Sequence, residues 1–406
     1  MTQFGIGQSV SRFEDPRLLR GQGQFVDDNN LPGQTHAVLV RSPHAHARIR
    51  SINTRAALAA PGVLAVYTGD DVAADGLGTM KINLPRKRPD GSPMFTRQHT
   101  GLSRGEVKYV GDPVALVIAE TLWQAKDAAE QVEVDYEPLP SVTDTLQLVQ
   151  GGAPAVWAEC PDNLSHIFEQ GNAQATDEAF AKAKHIVKRR YVISRVFAHY
   201  MQPRGVLAQY DAGEDRYTLW ADVQYPHRVR NALAENIFKI PEHQIRVIAH
   251  DVGGGFGTKG WQYPEHRLMP WAARKIGRPV KWTCERSEAI LADEHARDQP
   301  WPVLAQPLLG GIHVAIRRLE CLLAIHHSCA TRLAQCLHVL CGERHRDQPS
   351  AFSPACATRA SRSACAAAAD LRAASCWASN SACSCGVRVT GALGVVTARL
   401  PLFSAM

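Results

Sequence analysis

Cysteine is scarce where a disulfide framework would need it, because residues 1–300 contain only Cys160 and Cys284. A disulfide-stapled secreted scaffold is excluded for that part, and a reducing compartment is expected. Long apolar runs are missing too, the longest buried-looking one being Val114 to Ala119. Neither that run nor Met1 to Val10, which lacks a basic stretch leading into an apolar core, reads as a membrane span or a leader. A cytoplasmic location is expected, with no membrane span. Nor is there a charge excess to read in the larger part: residues 1–300 hold 35 Lys+Arg and 35 Asp+Glu, so the net +6 falls entirely on residues 301–406. A surplus confined to one segment gives no basic face, and no nucleic-acid partner is expected. At 406 residues, 45% hydrophobic and 21% charged, the chain is otherwise an ordinary globular sequence of two or three domains.

Different absences mark the end of the chain. Lys281 is the last lysine and Tyr263 the last tyrosine, carboxylates thin out to Glu320, Glu343, Asp347 and Asp370, and nine of the 11 cysteines crowd into residues 301–406. Past Asp298 no capped amphipathic helix or alternating strand is legible. Cys336, Cys341 and His345 have donors at a loosely zinc-like spacing, but there is no C-x2-C pair. The composition reads as an out-of-frame translation of a GC-rich gene, so residues 299–406 are expected to be a tail unrelated to what precedes them.

What is present before that point is orderly. Gln24-Phe25-Val26 reads as strand-like before the turn at residues 27–30, His36–Val40 and Val63–Tyr67 read as strands, and residues 72–105 as mostly loop. Thr121 and Gln124 form a capping box for a helix that carries Leu122, Ala125, Ala129 and Val132 on one face. These signals predict an α/β domain over residues 15–140 that folds on its own. Ser141 to Pro154 reads as a linker, and residues 155–298 as a second segment. In it the strands Ile186–Ile193, Tyr217–Ala221 and Ile245–Ala249 alternate with helices opened by Pro226 and Pro264, the latter closed by Gly277.

Two places carry chemistry. Gly253-Gly254-Gly255-Phe256-Gly257 follows a strand end, where glycines let backbone N–H groups converge on an anion without Cβ atoms between them. Gly255-x-Gly257-x-x-Gly260 also matches a dinucleotide fingerprint, but no helix opens at once and no acidic residue follows about 20 positions on. Gln224 stands between a strand and the Pro226 helix, where its amide can donate to an oxo group or simply face solvent. His44-x-His46 reads as two rings on one strand face, without a third metal ligand.

Three further stretches, Gly21 to Asp28, Val40 to Ile49 and Tyr109 to Ala115, resemble the hammerhead-type domain of the large subunit of molybdenum hydroxylases. That family includes xanthine dehydrogenase, aldehyde oxidase and the aerobic carbon monoxide dehydrogenase large chain. Val223–His227 and Gly253–Gly257 resemble two of its molybdopterin-binding segments, and the likeness spans residues of about 5–298. It implies an α+β fold, with a hammerhead-type α/β domain followed by the first part of an α/β molybdopterin-binding domain. It further implies Mo-molybdopterin in the cytosine dinucleotide form, an FAD-binding medium subunit and a 2Fe-2S small subunit as partners, and a small-molecule substrate hydroxylated with water as oxygen source. By the same likeness Gln224 would donate to a molybdenum oxo ligand, and Gly254, Gly255, Phe256 and Gly257 would lie against metal and pterin. His199–Arg204 resembles another family segment, one with glutamate more often at the place of Gln202.

The family's large subunit is about twice as long, and its glutamate base is not found in residues 299–406. The chain is therefore expected to be truncated or frameshifted and, as written, inactive. The alternatives are a non-catalytic remnant that only binds partner subunits, and a Rossmann-type dinucleotide-binding protein.

Overall fold

The computed structural model describes residues 11–80, 86–96, 99–150, 152–170, 172–183, 185–297, 299–305 and 398–402. All of them belong to one of two units, and the other unit, residues 325–395, lies outside the described residues. The strands are β1 (Thr35–Arg41), β2 (Ala47–Asn53), β3 (Val63–Thr68), β4 (Glu106–Val107), β5 (Pro113–Ala119), β6 (Glu133–Pro138) and β7 (His166–Gln170). They continue with β8 (Val187–Ile193), β9 (Gly205–Asp211), β10 (Arg216–Ala221), β11 (Ile245–Ile248), β12 (Val280–Thr283), β13 (Gln299–Ala305) and β14 (Ala398–Leu402). The helices are α1 (Asp15–Leu18), α2 (Arg55–Ala59), α3 (Gly69–Ala74), α4 (Leu122–Ala129), α5 (Thr145–Gln150), α6 (Ala173–Ala181), α7 (Pro226–Ala232), α8 (Pro264–Ile276) and α9 (Arg286–Ala292). The architecture is α+β, as the sequence implied.

Seven strands form one mixed sheet in the order β11-β10-β9-β12-β1-β5-β3. Every residue of β5 is buried, which suits its unbroken apolar sequence, since a strand covered on both faces has no solvent side to make polar. The sheet runs across the boundary between the two segments read from the sequence: β1 pairs in parallel with β12 through Thr35–Val280 and His36–Lys281. The seven-stranded sheet is thus shared between residues 15–140 and the later segment. The edge of β1 is completed by a strand about 245 residues further along the chain, a pairing that no local pattern encodes. A second, three-stranded sheet, β4-β2-β6, belongs wholly to the first segment.

Local grammar explains most boundaries. At α4 the Thr121 Oγ1 accepts the Gln124 N–H at 3.3 Å, and Gln124 Oε1 accepts the Thr121 N–H at 3.1 Å. Thr121→Ala is expected to cost about 1 kcal/mol in urea denaturation, the usual value of such a cap. Helix α8 opens with Pro264 in its first turn and closes on Gly277 at φ 68°, where a residue without Cβ ends the helix without strain.

Several expectations are corrected. Gln24-Phe25-Val26 is not a strand: Asp28 accepts the Phe25 N–H at 2.8 Å and folds Val26–Asp28 into a 3-10 turn. The linker 141–154 contains α5, whose Leu148 is buried. The helix begun at Pro226 widens after α7 into a π-helical stretch, Leu233–Phe238, that stops at Lys239 with φ 55°. His44 and His46 precede β2 rather than lying on it, and their rings part: His46 Nδ1 meets the Pro140 carbonyl at 3.0 Å while His44 packs on Tyr136. Beyond Asp298, β13 pairs antiparallel with β8 from Gln299 to Ala305, and β14 pairs with β7. The orderly chain therefore continues some residues past the break read from composition. The tail's cysteines, His345 and four carboxylates lie outside the described residues. Among the described residues no helix is long and apolar enough to cross a membrane, and no cluster of His, Cys, Asp or Glu is arranged to hold a metal ion.

Candidate functional site

The glycine loop leaves the end of β11 anchored at its first residue. Asp251 takes both Arg17 guanidinium nitrogens at 2.6 Å and the Gln24 N–H at 2.7 Å, which together hold its carboxyl down at about 2. Next, Gln202 clasps Gly253 from both sides: its Oε1 accepts the Gly253 N–H at 2.7 Å, and its own N–H donates to the Gly253 carbonyl at 3.1 Å. A Cβ at Gly253 would stand 2.5 Å from the Gln202 Cβ, so this close approach requires glycine.

The chain then turns through left-handed conformations at Gly254 (φ 90°), Phe256 (φ 50°) and Gly257 (φ 96°). Phenylalanine rarely adopts such a φ, and an observed outlier of this kind points to a functional constraint. Its ring is 79% exposed, so no core packing explains the strain. Turns closed by Thr258 N–H to the Gly255 carbonyl (2.9 Å) and Gly260 N–H to the Gly257 carbonyl (3.0 Å) fix the loop. Among the described residues, the N–H groups of Gly254, Gly255 and Phe256 donate to no protein acceptor. Successive free N–H groups in alternating right- and left-handed backbone make an anion-binding concavity.

Gln224 faces this loop. Its N–H donates to the Lys259 carbonyl at 3.0 Å, and its Oε1 accepts the Gly257 N–H at 3.0 Å. Because the oxygen is committed, the amide nitrogen is left as a fixed neutral donor. Gly255 lies directly against it: a Cβ there would come within 2.8 Å of Oε1 and 2.9 Å of Cδ. The structure thus brings Gln224 together with Gly255 and Gly257, while Gly254 packs instead toward Tyr200 and the Phe256 ring. Free backbone donors, a fixed amide donor and a close approach at Gly253 and Gly255 that admits no Cβ fit a ligand carrying oxo and phosphate-like oxygens.

Beneath the loop lies a charge pair that the sequence reading missed. Lys259 is 1% exposed, pairs with Asp222, donates to the Gln202 carbonyl at 2.8 Å and sits 4.5 Å from the centre of the Tyr200 ring. Burial pushes the ammonium down and the carboxyl up, and each is offset in part by the other. Asp222 also accepts the Gly205 N–H at 2.9 Å, tying the pair to β9. A lysine among glycines reads as solvated, and nothing in the pattern shows that Asp222 waits beneath it.

Helix α8 starts next to the loop inside a second buried network. Glu265 is bound by Arg41 at 2.6 Å and Arg204 at 2.9 Å, and Arg204 reaches on to Asp293 at 2.7 Å. These two guanidinium groups hold the Glu265 carboxyl down at about 2 against its complete burial. The Arg204 plane also stacks 3.6 Å from the centre of the Tyr263 ring, whose hydroxyl donates to the Thr258 carbonyl at 3.1 Å. The network therefore fastens the far end of the loop.

Residues 156–303 match the molybdopterin cofactor-binding domain family, and residues 20–140 match the aldehyde oxidase and xanthine dehydrogenase a/b hammerhead domain family. The first of these contains the whole Gln224 and glycine-loop site. Over residues 20–303 the chain belongs to the molybdenum hydroxylase large-subunit family. It is 40% identical over 299 residues to the nicotine 6-hydroxylase large subunit of Paenarthrobacter nicotinovorans, a match covering 74% of this chain and 36% of that one. To the carbon monoxide dehydrogenase large chain of Afipia carboxidovorans it is 37% identical over 306 residues, covering 72% and 36%. Among solved structures, quinoline 2-oxidoreductase from Pseudomonas putida 86 superposes with a TM-score of 0.68 at 34% identity, over 78% of this chain and 39% of that one. The chain thus spans about 36% of the length of the curated relatives it matches. The family match ends at residue 303, inside β13, so the hydroxylase sequence outlasts Asp298 by a few residues.

Proposed function

We propose that Gln224 and the loop Gly254–Gly257 form one wall of the cofactor site of a molybdenum hydroxylase large subunit, binding Mo-molybdopterin in its cytosine dinucleotide form. The observation that carries this is a fixed amide donor on Gln224, packed directly against Gly255, beside the free backbone N–H groups of the loop. When bound, the group supplies a metal centre with terminal oxygen ligands for oxidative hydroxylation of a small substrate, an aldehyde, an N-heterocycle or carbon monoxide, with water as oxygen source. This chain's residues would hold those oxygens from fixed neutral donors that need no reorganisation as negative charge develops. Phe256, held outward by its strained backbone, would present its ring on the ligand side of the loop. Electrons would leave to an FAD-binding medium subunit and a 2Fe-2S small subunit. The base that takes the proton would come from outside residues 20–303, since the implied family glutamate is not among them.

The test is cofactor content. The chain, expressed in a host that makes molybdopterin, is expected to retain molybdenum and a pterin detectable by oxidative fluorescence. Gln224→Ala should reduce both about fivefold, the worth of one net hydrogen bond, with an unchanged melting temperature. Wild-type protein without pterin, or a Gln224→Ala variant that retains as much as wild type, would sink the reading.

A further inference from the structure

Lys259 touches every segment that the cradle needs. Its ammonium donates to the carbonyl of Gln202, the residue that clasps Gly253 at the start of the loop. Its own carbonyl accepts the N–H of Gln224 on the opposite wall. The same ammonium pairs with Asp222, which is bonded to β9, and lies over the ring of Tyr200, against whose Cβ Gly254 packs closely. A side chain needed only to neutralise Asp222 would require one of these contacts.

Burying an ion pair is seldom the most stable solution, because two apolar residues of like volume avoid the desolvation cost, and the best-attested use of such pairs is to fix register. Here the geometry has the form of a register device: one buried group sets the distance between the amide of Gln224 and the free N–H groups of Gly254, Gly255 and Phe256. We infer that Lys259 is a positioning residue for this site, spacing its two walls and placing a buried positive charge under any anionic group that rests on the loop. The inference builds on the reading of the loop as a cofactor cradle, but its structural half can be tested without cofactor.

The experiment is hydrogen exchange read by mass spectrometry on the full 406-residue chain, purified from a host that makes no molybdopterin. Peptides spanning residues 250–262 and 220–228 are followed in wild type, K259M, D222N and the double variant D222N/K259M. K259M leaves Asp222 buried without its partner, so its melting temperature should fall by roughly 8 °C. The double variant removes that unpaired charge and should recover most of the loss. Loop exchange decides the matter: in the double variant it should stay about tenfold faster than wild type, because the bond to the Gln202 carbonyl remains missing. D222N alone should keep slow loop exchange, since a lysine without a counter-ion can still donate to that carbonyl.

Wild-type exchange in the double variant would overturn the inference, as would a loop in D222N as fast as in K259M. Either result would make the lysine a counter-charge and nothing more. A parallel set from a molybdopterin-making host should show about tenfold less pterin in the double variant. If wild type there holds no pterin, the cofactor reading fails while the exchange data still judge Lys259.

Discussion

Gly255→Ala is expected to cut the pterin retained by the chain roughly thirtyfold and to lower its melting temperature by a few degrees. The backbone of Gly255 has no left-handed φ, so alanine is tolerated by the chain itself. The new methyl would instead stand 2.8 Å from Gln224 Oε1, 2.9 Å from Cδ and 3.1 Å from Cγ. Gln224 must swing away, which breaks its bond to the Gly257 N–H and misplaces the amide donor. The lost donor to the ligand at about 1 kcal/mol, with a further ~1 kcal/mol for the intruding methyl, amounts to about thirtyfold in affinity, while the lost bond between Gln224 and Gly257 shows in the melting temperature. The double variant Gly255→Ala/Gln224→Ala separates clash from donor. Relieved of the collision but without the amide, it should stay well below wild type, and full recovery would show that the donor contributes nothing.

Glu265→Gln is expected to lose about 3 kcal/mol at neutral pH, measured by urea denaturation. The carboxylate is fully buried between Arg41 and Arg204, and an amide in its place removes the anion that bridges the two guanidinium groups, leaving Arg41 with Glu288 alone and Arg204 with Asp293 alone. The pH dependence gives an independent check. Glu265 is held at about 2 in the fold against an ordinary 4.5, so it binds fewer protons folded than unfolded in that interval. Its stabilisation is present above about pH 4.5 and drains away as pH falls toward 2, a change of about 3 kcal/mol that the glutamine variant cannot show. Wild type and variant should therefore converge in acid. Curves that stay parallel between pH 5 and 2.5 would refute the assignment.

The legible features of this chain are those whose information is local. The Thr121 cap, the apolar run of β5, and Pro264 with Gly277 around α8 could be read because each depends on residues within a few positions of one another. Gln224 and the glycine loop stood out because a run of glycines after a strand end is entropically costly unless something must approach the backbone. Gln24–Val26 misled because an apolar pair in an extended context looks like a strand until the Asp28 side chain captures the Phe25 N–H.

Local pattern alone determined the Thr121 cap, the two ends of α8 and the residues of the loop, while the α+β class came with the family resemblance. Only the tertiary structure decided that β1 is completed by β12, that Gln224 Oε1 meets the Gly257 N–H, and that Lys259 and Glu265 are buried ions rather than solvated ones. The physical reason is common to all of these. Each depends on a partner far away in sequence, Asp222 for Lys259, Arg41 and Arg204 for Glu265, and a charge can be buried only where such a partner has already been brought to it by the packing of the sheet.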